Sequence, residues 1–267
     1  PMVLTATARA DKPVPAHPND LQYPKLDYKV PPASQFREVL PNGLVVYIAE
    51  DRLLPTFDLR ITLAAGSAFE PKDKIGLASL TGEELRDGGT QDLTPEELDE
   101  RVEFLAASLF TGIGETSGSA GVAVLSKDID AGLELLISVL RYPRFDENRF
   151  RLAKERRIQN IKRRNDGTDQ IERSEFNFLM NGEDHFSNWY PSTATLNAVT
   201  REDMLAFHRK YIHPGNMILA VAGDFDRAEM LKKLEKAFAN WPAGEKSPRT
   251  FAKPEFEPKP GVYVLHK

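Results

Sequence analysis

Gly76-Leu77-Ala78-Ser79-Leu80-Thr81-Gly82-Glu83-Glu84-Leu85-Arg86-Asp87-Gly88-Gly89-Thr90 is the stretch on which the reading of this chain turns. A helix is expected to start near Gly76. Ser79 and Glu83 stand four residues apart on it, which places both side chains on one face. Helical zinc sites use that spacing with two histidines, because both imidazoles can then share a tetrahedral ion. No histidine lies in this stretch.

The remaining composition narrows the function classes. Among 267 residues, 41% are hydrophobic and 28% charged, as in ordinary globular proteins with one large core or two modest ones. The 35 Lys and Arg against 40 Asp and Glu are too balanced to suggest nucleic acid or an anionic membrane as partner. No apolar run approaches the roughly 18–20 residues that span a bilayer. The absence of cysteine excludes disulfides, thiolate zinc sites and thiol catalysis, and leaves the compartment open.

Residues 1–35 carry Pro13, Pro15, Pro18, Pro24, Pro31 and Pro32 in a polar setting, which suits an extended arm. Such an arm fits equally the stub left after removal of a signal peptide and a disordered leader. The bacterial periplasm is favoured over the cytoplasm. Residues 36–241 are expected to form one domain. Residues 242–267 read as a Pro-rich linker followed by a strand, Val262 to Leu265, that begins a further domain of a longer protein.

Within the domain, Leu40-Pro41-Asn42-Gly43-Leu44 predicts a hairpin with strands at about 36–40 and 44–49 around a tight two-residue turn. Thr56 to Ala64 alternates as a half-buried strand does. Thr94-Pro95-Glu96-Glu97 combines a capping hydroxyl, an N-terminal proline and a glutamate three residues on, and predicts a helix with Leu98, Val102, Leu105 and Leu109 on one face. Leu109 to Leu125 reads as a hairpin broken around Gly112, Gly114 and Gly118. Asp128 is expected to cap a helix carrying Leu133, Leu136, Ile137 and Leu140, stopped by Pro143. Further helices are expected from Asp146 to about Arg164, over roughly 168–181, from Thr200, and from Asp226 with a stripe of Leu231, Leu234, Phe238 and Trp241. Met217 to Ala222 predicts a buried strand. The mixture predicts an α+β fold with helices packed on an antiparallel or mixed sheet.

Six segments in order carry a family resemblance. They are Leu40-Pro41-Asn42-Gly43-Leu44; Ala64-Ala65-Gly66-Ser67 with Glu70; the stretch from Gly76 to Thr90; Leu133 to Phe145 through Arg141-Tyr142-Pro143-Arg144; Phe207 to Asn216; and Leu219-Ala220-Val221-Ala222-Gly223-Asp224. Over roughly Val39 to Asp226 the chain resembles the N-terminal domain of the M16 (pitrilysin or insulinase) metallopeptidases. Their zinc helix reads Gly-Leu-Ala-His-x-x-Glu-His and ends in Gly-Thr. Counting from Gly76, the resemblance puts Ser79 and Glu83 at the ligand positions and Gly82 at the general base. Counting back from Thr90 puts Leu80 and Glu84 at the ligands and Glu83 at the base. The third ligand of the family lies seven residues after a Glu-Arg pair on the next long helix. Here Glu155-Arg156 matches the pair and the ligand position is Lys162, an ammonium. The five histidines, His17, His185, His208, His213 and His266, are expected to be surface or capping residues and not metal ligands.

The resemblance therefore implies no metal and no cofactor here, although zinc serves the family. It implies a non-catalytic subunit or domain that lines a chamber for unfolded peptide and supports a zinc-bearing M16 partner. A homo-oligomer is the alternative assembly. Peptides in this family add as a strand to a sheet edge, and Gly112, Gly114, Gly118 and Ala120 are the expected place. Two other readings remain open: a scaffold with no proteolytic partner, as in the core subunits of the respiratory bc1 complex, and a zinc metalloendopeptidase with an atypical site. The family's transition-state arginine and tyrosine would lie beyond Lys267.

Overall fold

Alternation between apolar and polar side chains organises the sheet around the strand at Thr56–Leu63, where Phe57, Leu59, Ile61 and Leu63 are buried and Thr56, Arg60 and Thr62 are exposed. Each such apolar side chain contributes about 1.5–3 kcal/mol by leaving water. The computed structural model describes residues 17–21, 23, 29–251, 253–254 and 257–265. It divides into a unit over Pro1–Pro32 and a unit over Ala33–Lys267. In the first, the described residues hold one 3-10 turn, Pro18–Asp20, and most of the expected arm lies outside the described residues.

The second unit contains the strands β1 (Arg37–Val39), β2 (Val45–Glu50), β3 (Thr56–Leu63), β4 (Ser108–Ile113), β5 (Gly118–Leu125) and β6 (Met217–Gly223). Its helices are α1 (Leu77–Asp87), α2 (Pro95–Phe104), α3 (Ile129–Arg141), α4 (Glu147–Lys162), α5 (Thr168–Asn181), α6 (Thr193–Ala198), α7 (Arg201–Tyr211) and α8 (Arg227–Ala237). The sheet order is β1-β2-β6-β3-β5-β4. β2 and β6 are parallel, pairing Val46 with Leu219 and Ile48 with Val221, and every other neighbour is antiparallel. This is the mixed α+β architecture that the sequence predicts. One face of the sheet holds the core: Val46, Ile48, Leu59, Ile61, Val122 and Leu219 are all buried together with apolar side chains of α1, α3, α7 and α8. The opposite face presents Tyr47, Ala49, Arg60, Thr62, Ser119, Ala220 and Ala222, all half-buried or exposed.

The capping signals act as expected at several helices. Thr94 and Glu97 close a reciprocal capping box on α2, Thr200 and Asp203 do so on α7, and the Asp146 carboxylate accepts from the N–H groups of Asn148 and Arg149 at α4. Asp128 precedes α3 without a side-chain cap, since a 3-10 turn over Ser126–Asp128 leads straight into the helix. Along α8 the expected stripe is buried at Leu234, Phe238 and Trp241, and Leu231 packs partly buried beside them.

Other expectations are corrected. The first hairpin turns over three residues: Leu40 N–H donates to Leu44 O at 2.9 Å and Gly43 N–H to Leu40 O at 2.8 Å. Only Gly43 takes a positive φ, +83°, and Asn42 does not, so the two-residue turn with both residues left-handed is absent. Leu109 belongs to β4, because the chain leaves α2 through Ala106 at φ +48°. Val262 to Leu265 is not a strand: it has no pairing partner among the described residues, and Val262 and Val264 are exposed. Gly118 and Ala120 are not at an edge, because β5 is paired with β3 on one side and β4 on the other.

Candidate functional site

The site is built where α1 crosses the edge strand β4 and meets α4. α1 begins at Gly76, which has no side chain with which to cap it. The Glu70 carboxylate does so instead, accepting from Gly76 N–H at 2.9 Å and Ala78 N–H at 2.8 Å. A negative charge at a helix N-terminus is favoured by the helix dipole. Glu70 is buried, and desolvation raises its pKa against the lowering effect of those two hydrogen bonds.

One turn on, Ser79 and Glu83 face α4. The guanidinium of Arg157 donates through Nη1 to Ser79 Oγ at 2.9 Å, and through Nη2 to Ser79 O at 3.2 Å and Glu83 Oε2 at 2.6 Å. Arg156 pairs with the other carboxylate oxygen, Glu83 Oε1. One carboxylate is thus held by two guanidinium groups. Burial lowers the pKa of Arg157, and the nearby carboxylates of Glu84 and Glu70 oppose that shift. Arginine stays protonated under any condition in which the protein is folded. A fixed organic cation therefore lies on the side chains at positions 79 and 83.

Gly82 faces the sheet. A Cβ there would lie 2.3 Å from Ile113 N and 2.8 Å from Gly112 C, so the edge strand occupies the space of any side chain at 82. Thr111 Oγ1 donates to Gly82 O at 2.7 Å and fastens the strand to the helix. In the alternative register, Leu80 and Glu84 are 0% and 1% exposed, so both are buried and neither faces the groove. The glutamate is unusual: its Oε2 has no hydrogen-bond partner, and its pKa rises to about 7. Desolvation is the main cause, followed by Asp87; Arg149 and Arg157 pull it down and Asp146 pushes it up.

The positions expected on α4 lie elsewhere. Glu155 is exposed and pairs with Arg151 at 2.9 Å, and Lys162 is exposed in the last helical turn. Neither has a hydrogen bond or ion pair to α1 among the described contacts. Sequence reasoning missed Arg157, the residue that does reach α1. The signal for it was weak: one more arginine directly after the Glu155-Arg156 pair, on a helix where charges are frequent.

These groups do not fit zinc. A four-coordinate ion needs three or four deprotonated donors, whereas one carboxylate, one hydroxyl and a positive guanidinium meet here. Among the described residues, no group of three or more His, Cys, Asp or Glu could hold a metal ion. Two histidines cap 3-10 turns, His17 at Pro18–Asp20 and His185 at Phe186–Asn188. The next two are not surface residues, but each sets Nε2 against a carbonyl in the last turn of a helix, α3 for His208 and α7 for His213, which is a capping contact. Nε2 of His208 lies 2.7 Å from Leu140 O, and burial lowers its pKa. His213 is buried, with Nε2 at 3.1 Å from Lys210 O. His266 lies outside the described residues.

Beside the guanidinium runs an open groove of about 480 Å³, walled by Ser79, Glu83, Arg86 and Arg157 and floored by residues 109–113 of β4. Of the four positions expected to meet peptide, Gly112 is on this strand and has open space where a Cβ would be. Gly114 lies in the β4–β5 turn, and Gly118 and Ala120 lie behind it on β5.

Residues 198–267 match the family model described as the peptidase M16 inactive domain. An uncharacterized zinc protease of Rickettsia felis is 24% identical over 211 residues, covering 78% of this chain and 50% of that protein. A probable mitochondrial-processing peptidase subunit beta of Arabidopsis thaliana is 23% identical over 204 residues, covering 74% of this chain and 38% of its own length. The chain thus spans about half, or less, of the curated relatives it matches. Among solved structures, a peptidase M16 inactive domain from Pseudomonas fluorescens superposes with a TM-score of 0.74 at 22% identity, over 81% of this chain and 53% of that one. The periplasmic protease PqqL from Escherichia coli gives 0.67 at 17% identity, over 81% of this chain and 25% of that one.

Proposed function

We propose that the chain, similar over most of its length to proteins of the M16 peptidase family, is a non-catalytic member that supports cleavage by a zinc-bearing M16 partner. The observation that carries this reading is Arg157. Its guanidinium lies against the two side chains at the family's ligand positions and supplies the positive charge there, while the edge strand fills the place of the base. No water-activating group remains in this arrangement. What the chain offers instead is a groove beside the edge of β4, unpaired among the described residues and suited to an extended peptide that adds through main-chain hydrogen bonds.

The name of the Arabidopsis relative, a subunit of a processing peptidase, supports work within an assembly. We place the protein in the bacterial periplasm, in keeping with the periplasmic protease that shares its fold. Among the described residues, no helix is long and apolar enough to cross a membrane. Osmotic-shock fractionation checks the compartment.

The decisive experiment combines metal analysis with peptide hydrolysis. The chain alone is expected to purify without stoichiometric zinc and to leave a quenched fluorogenic peptide uncut. Added to a zinc-bearing M16 protein from the same genome, it is expected to raise that protein's kcat/KM. Stoichiometric zinc with chelator-sensitive hydrolysis by the chain alone would overturn the proposal. Association without any effect on cleavage would leave the scaffold reading in its place.

A further inference from the structure

A peptide strand added to the β4 edge sends alternate side chains toward α1 and toward the open face of the sheet. Toward α1 the guanidinium groups of Arg86, Arg156 and Arg157 are matched by the carboxylates of Glu83, Asp87 and Asp99, so net charge selects nothing there. On the open face, β4 presents Ser108, Phe110 and Gly112. Two glycines near this edge differ in what covers them. Gly121 of β5 stands directly opposite Phe110, and a Cβ on it would lie 2.7 Å from Phe110 Cε1 and 2.8 Å from Cζ. The ring thus lies against bare backbone, and Gly121 is buried. Gly112 is next to Phe110 on the same face and opposite the exposed Ser119, yet no described atom lies within 4 Å of its Cβ position. Its φ is not positive, so the backbone does not demand glycine at 112. A glycine inside a strand can mark the close approach of a ligand or a second backbone. From the α1 side this strand is held in place: Thr111 Oγ1 donates to Gly82 O at 2.7 Å, and Gly82 lies against the backbone of Gly112.

We propose that Gly112 and Phe110 form a subsite for one aromatic side chain of an extended peptide, whose ring covers Gly112 as Phe110 covers Gly121. The inference rests on the strand-addition reading above and adds to it the side chain that is preferred. The β4 edge supplies hydrogen bonds to any sequence, and the bare glycine beside a ring that is 37% exposed supplies the discrimination. Opposite and diagonal side chains on neighbouring strands lie within about 5–8 Å of one another, a span that two rings bridge. An aliphatic side chain gains burial there without the ring-to-ring contact, and a small one leaves Gly112 bare.

Fluorescence anisotropy with the full chain tests this. The probes are labelled, uncharged, Thr-rich peptides of about ten residues, identical except for one central Phe, Leu or Ala. The Phe peptide is expected to bind about fivefold tighter than the Leu peptide, the increment of an aromatic pair beyond burial, and the Ala peptide weakest. Phe110→Leu keeps an apolar cover on Gly121 and removes the ring, and should bring the Phe and Leu peptides within about twofold. Gly112→Ala adds a methyl that meets nothing in the fold and lifts an incoming ring off the backbone, so it should cut the advantage of Phe over Ala by about half. Binding of the Phe peptide should slow hydrogen exchange at residues 109–113. Equal affinity for the three peptides, a Phe preference that survives both variants, or protection that spares β4 refutes the subsite. Failure of every peptide to bind overturns the strand-addition reading itself and the inference with it.

Discussion

Replacing Glu84 by Gln should make the protein's stability at alkaline pH rise relative to wild type. The reasoning starts from a carboxyl that is 1% exposed, with one oxygen unpartnered and a pKa raised from 4.5 to about 7. A carboxyl whose folded pKa lies above its unfolded value binds its proton more tightly when folded. Its contribution to stability is complete below pH 4.5 and is lost as pH climbs through 7. A move of that size is worth up to about 3 kcal/mol. Glutamine keeps the shape and cannot ionise. It brings its own cost, about 1–3 kcal/mol for a buried amide with an unmatched donor, but that cost does not vary with pH. The quantity to measure is therefore a difference of differences: unfolding free energy of Glu84→Gln minus that of wild type, at pH 5 and at pH 8.5. Urea titration followed by the fluorescence of Trp189 and Trp241 supplies both values. The difference should grow by about 2–3 kcal/mol in favour of the variant between the two pH values. Other shifted groups cancel, because both proteins share them; Glu70 titrates with the same sign and Asp203 with the opposite one. A difference that stays flat across this range would mean that Glu84 is solvated or paired when folded, and the account of the α1–α4 contact would fall.

Three further substitutions probe the same region. Gly82→Ala forces a methyl into the backbone of Ile113 and should cost about 2–3 kcal/mol in a denaturant melt, with β4 amides losing hydrogen-exchange protection; a cost below 0.5 would show that the close approach yields easily. Arg157→Met removes the partner of Ser79 and leaves Glu83 with the exposed Arg156, and should cost about 2 kcal/mol. A double-mutant cycle with Glu83→Gln should recover at least about 1 kcal/mol as coupling, and added zinc should restore none of the loss. Thr94→Ala opens the capping box of α2 and should lower stability by about 1 kcal/mol, read as a reduced urea midpoint at unchanged slope.

Features written in local chemistry were legible before the structure. The boxes at Thr94 and Thr200, the Pro143 stop and the alternation from Thr56 to Leu63 depend on residues within a few positions of one another, and they stand where the sequence puts them. α6 was missed because it has only six residues and its capping box uses Thr195 in place of the usual Glu or Gln. The tail at Val262 has strand-like residues, but a strand is a property of a pair and none of the described residues pairs with it. At the site, the absence of histidine was plain in the sequence. What replaced the metal was not, because Arg157 reaches Ser79 across 78 residues of chain and no spacing rule links them. The order of the sheet was equally hidden, and with it the fact that Gly118 and Ala120 lie one strand in from the edge.

That strand order also dictates when the molecule can come together. Among the described residues β6 is the last strand in the sequence, yet it sits between β2 and β3, parallel to one and antiparallel to the other. Until residues 217–223 leave the ribosome, the β1–β2 hairpin and the β3–β5–β4 ribbon have no shared edge, and each exposes an unpaired row of N–H and C=O groups. Synthesis of about 90 residues separates β5 from β6 at some 5–20 residues per second. For several seconds, then, the nascent chain carries two half-sheets with open apolar faces. The separation of these two half-sheets ends with the arrival of one central strand.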